Sequence, residues 1–599
     1  MTRTPKRVAM LAVFAALALF VAACGSSSSS SSSGTVASSA GQKIPQGKQG
    51  GTVTVLSAGD VDYMDPGQMY YTFGYMIGYS VNRPLYSFKP DNATTPVPDT
   101  AEGAPKISAD GKTITVKIKK GIKFSPPVNR EVQCKDIKYA MSRVFSANVP
   151  NPYATGYFGT IIGAPKTPTK NIPSIPGIQC PDANTLVLKL SQPKGATVAA
   201  ALVMPLTMPV PQEYAAKFDA KNPSTYNQNV VFTGPYMVKN NAQGQLTGWK
   251  PAKSIALVRN PNWDKSTDFR PAYLDSVNVD EGNSDATVAS RRILNGSALI
   301  QGDGAPPAPV LKQAATRFKN QLVLVPAGGT RYVAMNTTIK PFDNVNVRKA
   351  VVAIFDRNAM RLTRGGPIVG DIAWRYIPPG IPGFDEAGGL NPPSDSKYDF
   401  LANPAGDPAV AKKYMLAAKA QGVPVSADGK YAGTQKLLMI ATNADPGKKS
   451  AEVAANQFEK LGFKLNFREV TQDALYTKFC GVPKAQVAIC PNVGFFKDFV
   501  DPESFINPTF NGEAILPANN TNWPQLNDPS INKAIDAAAI LPPGSERSKA
   551  FAKIDNDITL LAPAVPWLWD KTPLIESKDV QGVADNYSTV WNLGYTSLK

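Results

Sequence analysis

One stretch of this chain has almost nothing to bury, and it occurs once. Gly25 through Gly41 is dominated by serine, and Gln42 to Gly50 continues it with lysine and glycine. Such a segment cannot offset the entropy of ordering and reads as a flexible leash. About 550 residues follow it, too many for one hydrophobic core and suited to two or three domains. No second linker of comparable composition separates those residues. The sequence therefore predicts domains joined by chain that crosses between them inside folded structure.

Residues 1–23 read as a targeting segment. Arg3, Lys6 and Arg7 make a basic start, and Val8 to Ala22 is apolar but too short for a typical membrane span. Val21-Ala22-Ala23-Cys24 resembles a bacterial lipobox. That resemblance implies that Cys24 is diacylated, that residues 24–49 tether the chain, and that the protein is held outside the cytoplasmic membrane, because two acyl chains hold where one is marginal. The alternative is an ordinary cleaved signal with a chance cysteine. No other run is apolar and long enough to cross a bilayer.

The formal charge is +17, and loss of Arg3, Lys6 and Arg7 with the targeting segment leaves +14. A basic balance invites a nucleic-acid reading, but no basic helix with interleaved aromatics offers a stacking groove, so no nucleic-acid partner is expected. A solvated surface and attraction to anionic envelope polymers and lipids account for the charge. The chain contains no histidine, which removes Ser-His-Asp and Cys-His catalysis. Carboxylate pairs such as Asp555 with Asp557, or Asp501 with Glu503, are what a chain with 46 acidic residues holds by chance. No Gly-Lys-Ser/Thr phosphate loop is present, so the chain is not a transporter's ATPase. No catalytic residue, cofactor or metal is assigned.

Beyond Cys24 stand four cysteines, Cys134, Cys180, Cys480 and Cys490. An even number in an oxidising compartment allows three pairings. Pairing Cys134 with Cys180 and Cys480 with Cys490 closes one segment of a plausible domain each time. A zinc site is the rival, against the spacing and the missing histidine.

Between Asp110 and Val144 the pattern is sharp. After the turn dipeptide Asp110-Gly111, Ile114, Val116 and Ile118 alternate with Thr115, Lys117 and Lys119, a half-buried strand. From Asp136, Ile137, Ala140, Met141 and Val144 fall on one face of a helix. These residues, with the strand end Gly121-Ile-Lys-Phe and Lys135-Asp-Ile-Lys-Tyr, resemble the signature of the family 5 extracellular solute-binding proteins, the peptide- and nickel-binding subunits of bacterial ABC importers. Gln133-Cys134 stands where that family has Thr-Ala, so the helix lacks a hydroxyl N-cap, a loss of about 1 kcal/mol.

The resemblance recurs in order along the chain: Tyr63-Met-Asp-Pro, Val81-Asn-Arg-Pro-Leu-Tyr, Phe232-Thr-Gly-Pro-Tyr, Leu257-Val-Arg-Asn-Pro-Asn-Trp, Tyr332-Val-Ala-Met-Asn-Thr, Asn346-Val-Arg-Lys-Ala and Ile377-Pro-Pro-Gly. It implies an α/β fold with the two lobes of a periplasmic-binding-protein-like chain (type II, cluster C) and an extra inserted domain. On that reading the first lobe combines 50–86, 185–330 and 560–599, the inserted domain covers 87–184, and the second lobe covers 331–559. Phe495-Phe-Lys-Asp-Phe-Val-Asp-Pro-Glu-Ser-Phe resembles the segment in which peptide-binding members hold a peptide's free α-amine, and the match falls on Asp498. Lys497 stands where an alanine is usual, and a turn aspartate is the alternative role.

Tyr71, Trp374 and Trp523 are the remaining candidates for cleft walls, each with core packing as its alternative. The implied function is capture of a small solute, an oligopeptide first, by a monomer that delivers it to a permease and ATPase. Oligosaccharides, opines or metal chelates, a surface sensor, and a carboxylate-dependent hydrolase are the other readings.

Overall fold

Three larger sheets organise the residues that the computed structural model describes: 44–151, 153–582 and 592–599. The targeting segment and Cys24 lie outside that range. The leash was expected to run through Gly50, but its last residues are held: Gln46 carbonyl accepts from Gln581 and Gln49 accepts from Arg259 at 3.0 Å.

The first sheet has the order Leu299–Gln301, Thr52–Leu56, Ser276–Asp280, Ser254–Arg259, Tyr236–Val238, with Trp249–Lys250 also on Ser254–Arg259. Thr52–Leu56 runs parallel to both of its neighbours. Its core holds Val53, Val55, Met76, Ile77, Val277 and Val279.

The inserted domain is built on an antiparallel sheet ordered Lys106–Ile107, Thr113–Lys117, Thr185–Lys189, Ile178–Asp182. Ile114, Val116 and Ile118 point into its core as their alternation requires, beside Ile137, Met141 and Val144 of the helix Cys134–Arg143. That helix starts without a hydroxyl cap, and Asp136 at its third position supplies the reciprocal half of a capping box, accepting the Gln133 N–H at 2.8 Å. The boundary expected at 184 falls inside this sheet. Thr185–Lys189 pairs with Thr113–Lys117, and the same core continues through Val198 to Leu206.

The second lobe's sheet has the order Gly370–Asp371, Ala564–Ile575, Leu322–Met335, Ile489–Phe496, Lys436–Thr442, Lys464–Val470. Both faces are covered, so successive residues enter different cores: Val333 and Met335 on one side, Tyr332 and Ala334 on the other. Leu322–Met335 and Ala564–Ile575 are the crossing strands. They pair along their length, Trp567 to Trp569 lying in the second lobe's core and Leu574 in the first lobe's. The return therefore occurs near 570–573, not at 560, because the residues from 564 are needed in the second sheet. The register shifts between Pro326 and Thr330, and Gly328 there has φ +60°, a conformation that favours glycine.

Several of the sequence markers are buried ion pairs. Asp65 receives Arg143 bidentately at 2.7 and 2.8 Å, and Arg143 also bonds Asp219 at 2.7 Å, all three fully buried. Arg83 and Arg270 share Asp99 at 2.7 and 2.9 Å. Arg143 and Asp99 belong to the inserted domain's segment, and Asp65, Asp219 and Arg270 to the first lobe's. These pairs join the two into one half of the molecule, facing the second lobe.

Candidate ligand cleft

Asp498 follows the strand Ile489–Phe496 and is 6% exposed. Its carboxylate accepts a hydrogen bond from Tyr157 of the inserted domain, whose hydroxyl also lies 3.1 Å from the carbonyl of Ser504. Burial raises the Asp498 carboxyl to about 7, against the opposing effect of the Tyr157 and Tyr153 phenols. The Lys497 side chain lies along Gly328 at the crossing strands, where a Cβ would collide with its Cδ, Cε and Nζ. The turn role that Asp498 could have played falls to Asp501, which accepts the Glu503 N–H at 2.9 Å and pairs with Arg547 at 2.7 Å.

Tyrosines from three segments surround this carboxylate. Tyr153 stacks on Tyr157 at 5.7 Å and on Tyr70 at 5.8 Å, and Tyr70 is 6.1 Å from Tyr71. Burial raises the Tyr70 phenol, and Tyr476 of the second lobe and Asp498 raise it further. Tyr75 is likewise raised by burial and then by Asp498. First lobe, inserted domain and second lobe all meet here.

Two cations, Arg331 and Arg364, act on Tyr476. Burial first, and neighbouring Arg331 second, lower the Arg364 guanidinium to about 9. Arg331 is matched by Asp570 at 2.6 Å. Arg364 makes no side-chain hydrogen bond or ion pair among the described residues and is only partly buried.

Of the predicted walls, Tyr71 is 38% exposed, with its N–H bonded to Asp62 at 2.9 Å. Trp523 is buried behind Tyr476 at 5.5 Å, packed also on Tyr332 and Phe495, so it supports the wall rather than forming it. Trp374 does not belong to the site. It lies in the second lobe's other core under the Arg357 guanidinium at 4.5 Å, its indole N–H bonded to the Leu390 carbonyl at 3.1 Å. Sequence reasoning missed Tyr70, Tyr153, Tyr157, Tyr476 and Arg364. The i, i+4 spacing of Tyr153 and Tyr157, one face of a helical turn, was the available signal.

Both disulfides are present, Cys134 with Cys180 and Cys480 with Cys490, at Cα separations of 5.7 and 6.1 Å. No group of three or more metal-ligating residues occurs among the described residues.

The family model of the bacterial extracellular solute-binding proteins, family 5 Middle, matches residues 95–516. The chain belongs to that family. As a family 5 solute-binding protein it resembles the oligopeptide-binding protein OppA of Bacillus subtilis (strain 168), with 22% identity over 486 residues, 80% of each chain. Heme-binding protein A of Haemophilus influenzae is 25% identical over 472 residues, 77% of each chain. Among solved structures, clavulanic acid biosynthesis oligopeptide binding protein 2 superposes with a TM-score of 0.78 at 23% identity, covering 93% of this chain and 96% of its own. The two-lobed α/β fold with an inserted domain is that of family 5, and its members bind solutes outside the cytoplasm.

Proposed function

We propose that this family 5 protein captures short peptides between its two halves and delivers them to a membrane permease and ATPase, as the monomeric lipoprotein subunit of an ABC importer anchored through Cys24. Asp498 carries the peptide reading. A carboxylate so buried, with the Tyr157 and Tyr153 phenols against it, gains most from a ligand that brings its own cation, and a free α-amine brings one together with hydrogen-bond donors. Arg364 supports the same reading from the other side, since a guanidinium crowded by a second cation is stabilised by a ligand's carboxylate. A peptide is a chain with an ammonium at one end and a carboxylate at the other. The tyrosines between them offer largely apolar walls with a few polar atoms, as small-ligand clefts do. Closing works as a population shift, because the closed form gains contacts when the cleft is filled.

Mass spectrometry of ligand that co-purifies with the protein tests the substrate class directly. Calorimetry with trialanine, N-acetyl-trialanine and trialanine amide tests the two poles. Tight binding of free trialanine with loss on either modification is the expected pattern. Equal affinity for all three would overturn the assignment of both poles, and binding of no peptide at all would move the substrate to a sugar, opine or chelate.

A further inference from the structure

The second lobe reaches the inserted domain through the short segment Asp498 to Ser504, with Arg547 beside it. Asp498 accepts from Tyr157. Phe499 is fully buried, belongs to the inserted domain's core, and meets the Tyr157 ring edge-on at 4.8 Å. Glu503, 3% exposed, completes the contact: its Oε1 accepts from Lys194 at 3.2 Å, and its Oε2 accepts from the Thr197 hydroxyl and from Arg547 at 3.0 Å. Arg547 also reaches Thr197 at 3.0 Å and holds Asp501 by two bonds of 2.9 and 2.7 Å. Lys194 and Thr197 lie at the helix Gly195–Ala200, which packs on the inserted domain's sheet, Gly195 N–H bonding the Gly111 carbonyl at 2.9 Å. Arg547 and Glu503 belong to the second lobe.

The charges balance only when the halves are together. Arg547 and Lys194 face Asp501 and Glu503, two cations against two carboxylates. When the halves part, Glu503 loses Lys194 and Thr197 and keeps only Arg547, which it shares with Asp501.

We propose that Glu503, held by Lys194 and Thr197, is a positioning residue for ligand capture: it latches the inserted domain onto the second lobe and fixes the segment that presents Asp498 to the ligand. Closing the protein and aiming its anchor are then one event. A ligand needs to shift a closed state that is already partly populated, and its apparent affinity rises with that fraction. Lys194→Met is the informative variant, because Lys194 sits at the edge of the contact with 17% of its side chain exposed.

The inference rests on the solute-capture reading, and the experiment separates the two. Small-angle scattering of ligand-free wild type, Lys194→Met, Glu503→Gln and the double variant reads closure without any ligand. Calorimetry and stopped-flow with trialanine read capture. Lys194→Met should enlarge the ligand-free radius of gyration and weaken trialanine binding about tenfold, mostly through a faster off-rate, with an unchanged melting temperature. The double variant should be no more open than either single one. Identical scattering and affinity for Lys194→Met and wild type would overturn the latch, whether or not Glu503→Gln folds. Failure of wild type to bind trialanine would count against the peptide reading, and scattering alone would still decide the latch.

Discussion

Tyr157 of the inserted domain donates to Asp498 of the second lobe, so the carboxylate assigned to the ligand is also the point where the two halves touch. Anchor and closing surface coincide. A carboxylate shared in this way must be ionised to hold an ammonium, and burial sets its carboxyl at about 7.

Affinity for a free-amine peptide is therefore expected to peak between pH 7 and about 8, where the anchor is ionised and the ligand's α-amine still protonated, and to fall about tenfold for each pH unit below 7, as the proton occupies the anchor. The unliganded fold has the opposite trend. Its raised carboxyl binds the proton more tightly than the unfolded chain does, so stability falls as pH rises from about 4 to about 7. Asp498→Asn should abolish the affinity slope, remove this carboxyl's share of the stability slope, and weaken free-amine peptides by roughly 2–5 kcal/mol, while leaving N-acetylated ones unchanged. Calorimetry between pH 5 and 8 checks the first, and melting curves check the second.

Arg143 joins Asp65 of the first lobe to the helix Cys134–Arg143 and is fully buried. Arg143→Ala would leave Asp65 and Asp219 buried without their cation, a loss of about 3–5 kcal/mol. Denaturant unfolding is the measurement, and a change under 1 kcal/mol would mean that the inserted domain is not joined through this pair.

Much of the fold was legible because its markers are structural necessities. The Asp-Pro after Met64 and the arginines at 83 and 143 form ion pairs that tolerate few replacements once buried, so their order survives in the sequence. The site was only partly legible. Asp498 stood out by its motif, but Tyr70, Tyr157 and Tyr476 come from distant segments and come together only through the fold. Trp374 and Trp523 are both buried, and burial of an indole looks the same from sequence in a core and at a cleft. The boundary at 184 failed for a related reason: the alternation of Thr185–Lys189 fixes a strand without naming the sheet it joins.

The cysteine pairs give the next expectation. The Cys134–Cys180 bond closes 46 residues and Cys480–Cys490 closes 10, so chain entropy gives about 4 kcal/mol for the first and about 3 kcal/mol for the second. Paired serine replacements should lower stability in that order, and thiol labelling of the unfolded, unreduced mature chain should detect no free cysteine. Two or more labelled thiols would break the pairing.

Anchoring is tested separately from binding. Cys24→Ser should leave the precursor unprocessed or release the protein into the medium, with loss of the mass of the acyl chains. If the variant stays on membranes with the wild-type mass, Cys24 is not the lipidated residue. Ligand binding of the soluble body should be unaffected in either outcome.

Glu576 ends the returning strand in a buried position, 6% exposed, with one carboxylate oxygen lacking any hydrogen-bond partner among the described residues. Burial raises its carboxyl from 4.5 to about 8, only weakly opposed by Lys599. The unfolded chain gives up this proton near pH 4.5, whereas the folded chain keeps it until about 8, so stability is highest in acid and falls as pH rises across that window. Glu576→Gln keeps the shape of the side chain and removes the charge that alkaline pH would force into the interior. The variant should therefore melt with wild type at pH 4, above it at pH 7, and furthest above it at pH 9, in melting curves at constant ionic strength. A gap that shrinks or reverses between pH 4 and pH 9 would mean that Glu576 is ionised and compensated in the folded protein.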